Sequence, residues 1–98
     1  MEFEILKTEL AGQKLDLLKK DPSKLAQFKA VGKALRFMQS DLHHPGLNTH
    51  EYSALSKALG FKVFESYAQN NTPGAYRIFW RYGPKNKQIT ILDITPHP

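Results

Sequence analysis

The sequence predicts an α+β domain in which a helical hairpin packs on a mainly antiparallel four-stranded sheet, in the order β-α-α-β-β-β. Three observations lead there. The apolar pattern changes from period two to helical spacing at about Thr8 and stays helical to about Gln39. An Asp21-Pro22 pair interrupts that helical stretch with a restart signal, aspartate as N-cap and proline at the first helical position. From Phe61 onward, strand-like runs alternate with segments rich in Gly, Pro and Asn.

The elements follow in chain order. Phe3 and Ile5 alternate with Glu2, Glu4 and Lys7, the pattern of a short, half-exposed first strand. Leu10, Ala11, Leu15, Leu17 and Leu18 then gather on one side of a helix, with Gln13, Lys14, Asp16 and Lys20 opposite. Gly12 weakens that helix slightly and reads as a point of close packing. Leu25, Phe28, Val31, Gly32, Leu35 and Met38 continue at helical spacing, so residues 9–39 form the hairpin that covers one sheet face. Leu15, Leu18, Phe28 and Leu35 are its expected core contribution. Its lysines (Lys14, Lys19, Lys20, Lys24, Lys29 and Lys33) and Arg36 read as a solvated face.

Ser40 to Thr49 is a loop, broken by Pro45 and Gly46, with Asn48-Thr49 suited to a turn or cap. His50 to Leu59 fits one or two helical turns or an irregular approach to the sheet, ended by Gly60. Phe61 to Ala68 is a strand, and Gln69 to Gly74 a mobile, wet loop. The strand at 76–82 leads through the turn Gly83 to Lys87 into Gln88 to Thr95, which is apolar enough on both faces to be an interior strand. That strand carries Thr95-Pro96-His97-Pro98 to the rim of the sheet, and the two prolines stiffen the placement of His97.

Ninety-eight residues make one small domain, spanning 1–98, and 41% apolar with 23% charged residues is an ordinary globular composition. The chain has no cysteine, which excludes disulfides, thiol catalysis and thiolate metal sites and fits a cytoplasmic location. No stretch is long enough to span a bilayer, and the first residues, Met1 to Glu4, lack signal-peptide character. A net charge of +5 favours an anionic partner, nucleic acid or an acidic protein.

The strand at 76–82 is the chemically informative stretch. Tyr76, Ile78, Trp80 and Tyr82 share one face, and Arg77, Phe79 and Arg81 the other. Tyr76 and Trp80 are assigned to packing. A face with two arginines is a poor core face, because a guanidinium is seldom buried unpaired. Arg77 is therefore expected either to meet a phosphodiester or to pair with Glu65 or Asp93 across the sheet.

The strand Tyr76-Arg77-Ile78-Phe79-Trp80 is similar to the Tyr/His-Arg-hydrophobic-hydrophobic-Tyr strand of the RelE/ParE superfamily of bacterial toxin–antitoxin toxins. The last strand, Ile89 to Ile94 with His97 after it, is similar to the end of that superfamily's histidine-bearing branches. The resemblance covers nearly the whole chain as an order of elements and is most specific from Phe61 to His97. It implies the toxin of a type II toxin–antitoxin system, of the RelE-like branch: an endoribonuclease, or mRNA interferase, that cuts mRNA on the ribosome and so inhibits translation without a metal or other cofactor. It also implies an open concave sheet face for mRNA and a cognate antitoxin with an acidic segment as partner. Glu65 and Tyr67 stand where ribosome-dependent relatives often carry an arginine, leaving Lys62 as that strand's basic residue; Pro98 stands where many relatives have a tyrosine. The alternatives are a ParE-like, non-enzymatic inhibitor of DNA gyrase and an inactive RNA- or partner-binding relative.

RNA cleavage without a metal needs a base for the 2′-hydroxyl, an acid for the leaving 5′-oxygen and a cation for the phosphorane. The resemblance assigns the cation to Arg77 and proton transfer to His97, with His50 or Glu51 as the second proton-transfer group. Arg81, Lys62 and Lys57 are candidate phosphate contacts. Among the aromatic side chains Tyr52, Tyr67, Phe79 and Trp80, which have faces for bases, Tyr52 and Tyr67 are kept as candidate base platforms. His43, His44 and His50 form an HHx5H pattern, but loop histidines without a fixed carboxylate are not expected to bind metal.

Overall fold

A computed structural model describes residues 2–70 and 72–97, so Met1, Asn71 and Pro98, with the expectations placed on them, lie outside the described residues. The chain is α+β. It begins with β1 (Glu4–Lys7), followed by α1 (Glu9–Lys20) and α2 (Leu25–Ser40). Thr8 caps α1: its hydroxyl accepts from the Ala11 N–H at 3.1 Å and donates to the Leu92 carbonyl, which ties the helix start to the sheet. Between the helices, Pro22–Lys24 forms a 3-10 turn capped by Asp21, as the Asp-Pro signal predicts. The Ser23 hydroxyl, and then the Ser23 N–H, hold the Asp21 carboxyl below its ordinary value.

The remaining elements are β2 (His50–Glu51), α3 (Ser53–Leu59), β3 (Phe64–Tyr67), β4 (Tyr76–Tyr82) and β5 (Gln88–Pro96), with a second 3-10 turn at Pro45–Leu47. The sheet has five strands in the order β1-β5-β4-β3-β2, parallel between β1 and β5 and antiparallel elsewhere. This corrects the expected four-stranded sheet and its element order. The additional strand is two residues long, too short to show an alternation, and α3 follows it at once. Gly60 ends α3 in the left-handed region at φ 79°, where a glycine carries no Cβ penalty. β3 starts three residues later than its apolar pattern begins. The Ser56 hydroxyl takes the Val63 N–H, and the Val63 carbonyl accepts from the Tyr52 N–H, so the α3 turn holds this backbone.

β5 is interior, as its two apolar faces require. Phe79 is opposite Asp93 but Trp80 is opposite Ile91, so Leu92 is an extra residue, a bulge in β5. Asp93 reaches Lys14 of α1 at 2.7 Å.

The helical hairpin covers one face. Ile78, Trp80, Ile89, Ile91 and Ile94 pack there with Ala11, Leu18, Val31, Ala34, Met38, Leu42 and Leu47. Leu15, Phe28, Leu35 and Tyr76 are half-buried against them. Leu10 and Leu17, expected on the buried side of α1, are 48% and 68% exposed, because the helix turns only a narrow stripe, Ala11, Leu15 and Leu18, toward the sheet. Gly12 has no atom within 4 Å of where a Cβ would stand, so it marks no close packing. Inside the core the Trp80 indole N–H donates to Ser66 Oγ at 2.8 Å, and Thr49 Oγ1 lies 2.7 Å from the same oxygen. All three polar atoms are thereby satisfied.

The opposite sheet face is buried at Val63 and Phe79, with the Tyr52 ring meeting Phe79 edge-on at 5.1 Å. Neither Phe79 nor the equally buried Trp80 has a ring face to offer a base.

Candidate functional site

Strand pairing alone assembles the site. In antiparallel register His50 lies opposite Glu65, Glu65 opposite Phe79, Tyr67 opposite Arg77, and Arg77 opposite Thr95. Directly opposed residues share a face, so Tyr67, Arg77 and Thr95 form one row across three strands, with His50 and Glu65 in the next.

Glu65 is the centre. It is 2% exposed, and both carboxylate oxygens are engaged: Oε2 by Arg77 Nη1 at 2.8 Å and Oε1 by His50 Nε2 at 2.7 Å. A buried carboxylate survives only with such partners. The Arg77 side chain is 13% exposed, with its guanidinium 4.9 Å from the Phe79 ring centroid and 6.0 Å from that of Tyr52. Its Nε is buried without a hydrogen-bond partner. The alternative of an arginine paired with Glu65 is thus what forms; Asp93 serves Lys14 instead.

His50 is 49% exposed, with Nδ1 3.1 Å from the Asn48 carbonyl oxygen. That oxygen only accepts. In the neutral ring with Nε2–H donating to Glu65, Nδ1 therefore holds a lone pair with no donor against it. Both ring nitrogens thus face acceptors, Nε2 the Glu65 carboxylate and Nδ1 the Asn48 carbonyl. This is a carboxylate-oriented imidazole, the arrangement a general base needs. The Tyr67 ring lies 6.1 Å from that of His50, and its phenol is raised above the ordinary tyrosine value, first by burial and then by the Glu65 carboxylate.

His97 is exposed, and its backbone N–H donates to the Ala75 carbonyl at 2.8 Å, extending the β5–β4 pairing past Pro96. Two residues beyond Thr95, it falls on the Arg77 face. The structure thus brings together Arg77, His50 and Tyr67 around Glu65, while His97 stands on the same face beyond Thr95, beside Ala75.

Other expected residues stand apart. Glu51 is exposed and opposite Phe64, on the alternate face from His50. Tyr52 is half-buried, its ring meeting that of Phe79 at a steep angle. Arg81 shares the Arg77 face but stacks on Phe61, 3.9 Å from its ring centroid. Lys57, in the last turn of α3, and Lys62 are exposed. Among the described residues no group of three His, Asp or Glu side chains is arranged to hold a metal. His44 instead stacks on Phe37 and accepts the Gly46 N–H on Nδ1.

Glu65 was visible in sequence as a pairing partner for Arg77 and as a departure from the resemblance, not as the centre of a site. Its signal was positional: a lone carboxylate at the inner phase of a strand whose neighbours Val63, Phe64 and Ser66 are apolar or small. No helix among the described residues is long and apolar enough to cross a membrane. Comparison of this chain with protein-family models, with curated proteins and with solved structures finds no match.

Proposed function

We propose that this protein is an endoribonuclease that cleaves RNA by attack of a 2′-hydroxyl on the adjacent phosphodiester. The observation that carries the reading is the Glu65 carboxylate held between His50 and Arg77, on the sheet face that His97 joins. His50 Nδ1, turned away from the Asn48 carbonyl, takes the 2′-hydroxyl proton, with Glu65 holding Nε2. The 2′-oxygen bonds to phosphorus while the bond to the 5′-oxygen breaks, and protonated His97 supplies the proton to that oxygen. Arg77, its Nη1 fixed by Glu65, turns its remaining donors to the phosphorane oxygens. The products are a 2′,3′-cyclic phosphate and a 5′-hydroxyl. Side chains fill every role, so the reaction as written requires no metal.

The RelE-like resemblance supports a toxin whose target is mRNA on the ribosome, held in check by an antitoxin with an acidic segment. Arg81, on the Arg77 face, and the exposed Lys57 and Lys62 supply positive charge for either partner. A single preparation of the purified chain tests this on mRNA with and without ribosomes, in parallel with a gyrase supercoiling assay. The proposal expects cleavage and unimpaired supercoiling. Intact RNA under both conditions, together with blocked supercoiling, would establish the gyrase-inhibitor alternative instead.

A further inference from the structure

A cavity of about 330 Å³ lies between α2 and the segment from His44 to Leu47, and reaches the candidate site at Tyr67. Its volume is at the lower end for small-molecule sites, roughly 300–1,000 Å³. One wall is aromatic: Phe37 and His44 stack with centroids 4.1 Å apart and planes 7° from parallel. The polar groups around it are fixed in sense. The Gly46 N–H donates to His44 Nδ1, so the neutral ring carries its proton on Nε2 and is a donor there. Asn70 Nδ2 donates to the Gly46 carbonyl, which leaves Asn70 Oδ1 as an acceptor. Lys33 Nζ stands 5.6 Å from the Phe37 centroid as a cationic donor. Gly46 is closely fitted, since a Cβ there would come within 3.1 Å of the His44 ring.

From this pattern of two donors, one acceptor and an aromatic wall, we infer that the cavity is a nucleobase subsite for guanine. Guanine carries two acceptors, O6 and N7, on one edge and N–H donors elsewhere. Adenine replaces O6 with a donor that Lys33 and His44 both oppose, and pyrimidines lack the N7 acceptor. The inference rests on the ribonuclease reading: a base seated here flanks a phosphodiester at the Arg77 row, through Tyr67.

Two measurements separate the failure of each idea. Amide chemical-shift titration of the full chain with GMP, AMP, CMP and UMP reads the subsite without catalysis. GMP is expected to shift the signals of Lys33, Phe37, Gly46 and Asn70 and to bind roughly tenfold tighter than the other three, the worth of one or two hydrogen bonds. His44→Ala and Asn70→Ala should each remove most of that preference. Equal binding of all four nucleotides, or GMP shifts confined to residues outside the cavity, overturns the subsite. Mapping of cleavage sites by the wild type then tests the link: guanine beside the cut in the wild type, and loss of that bias in His44→Ala, support it. Cleavage with no base bias overturns it. Absence of any cleavage overturns the ribonuclease reading, while the titration still decides the cavity.

Discussion

Removing the Glu65 carboxylate is the most revealing perturbation of this fold. Glu65 is 2% exposed and the Arg77 side chain 13%, so the pair is held away from water. In Glu65→Ala the guanidinium loses its partner at Nη1, while its Nε already has none. Breaking a buried pair by deleting one member costs about 3–5 kcal/mol, a large part of the roughly 5–15 kcal/mol that stabilises a small domain. At roughly 4–8 °C per kcal/mol for a chain of this size, Tm should fall by at least about 12 °C. Glu65→Gln should cost less, because the amide oxygen still accepts from Arg77 and the amide N–H₂ can donate to His50 Nε2 once the ring proton moves to Nδ1. The double variant Glu65→Leu with Arg77→Met should recover most of the loss, since a buried ion pair replaced by apolar groups of similar size is often neutral. Urea denaturation of the single and double variants measures all of this. A Glu65→Ala stability within about 0.5 kcal/mol of the wild type, or a double variant that loses the sum of its singles, would refute the clamp.

Other expectations follow from neighbouring contacts. Ser66→Ala strips the Trp80 indole N–H and the Thr49 hydroxyl of their shared partner in the core and should cost about 1–3 kcal/mol, again by urea denaturation. The raised Tyr67 phenol has a pH signature: its contribution is fully present below the unfolded tyrosine value of about 10 and is lost as pH rises through the higher folded value. The urea midpoint should therefore fall above about pH 10, and fall less steeply in Tyr67→Phe. For cleavage, Arg77→Ala should lower the rate by roughly 10²–10³ and His97→Ala by roughly 10²–10⁴, each in protein shown by circular dichroism to be folded.

How much of this was legible in the sequence depended on whether the signal was local. The hairpin was, because its period and the Asp21-Pro22 restart are local, and so was the interior position of β5, which its apolar faces announce. β2 was not: two residues carry no period, and they are a strand only because Phe64 and Glu65 lie beside them. The exposure of Leu10 and Leu17 was hidden for a similar reason, since the hydrophobic arc of α1 is wider than the stripe the sheet can cover. At the site, the phase of Arg77 along its strand gave its face, and His50 was within reach of a reading by residue type. The choice of Glu65 over Asp93 as the partner of Arg77 needed the register between β3 and β4 and the bulge at Leu92, which no single strand encodes.

The most direct test of the central claim is the chemistry of the cut ends. RNA incubated with the wild-type chain in excess chelator, with ribosomes present and absent, is analysed for the groups left at the break, alongside the same RNA bearing a single 2′-deoxynucleotide at the cleaved position. The account predicts a 2′,3′-cyclic phosphate and a 5′-hydroxyl, and no cut at the deoxy position. A 3′-hydroxyl with a 5′-phosphate, or unchanged cleavage at the deoxy position, would contradict it.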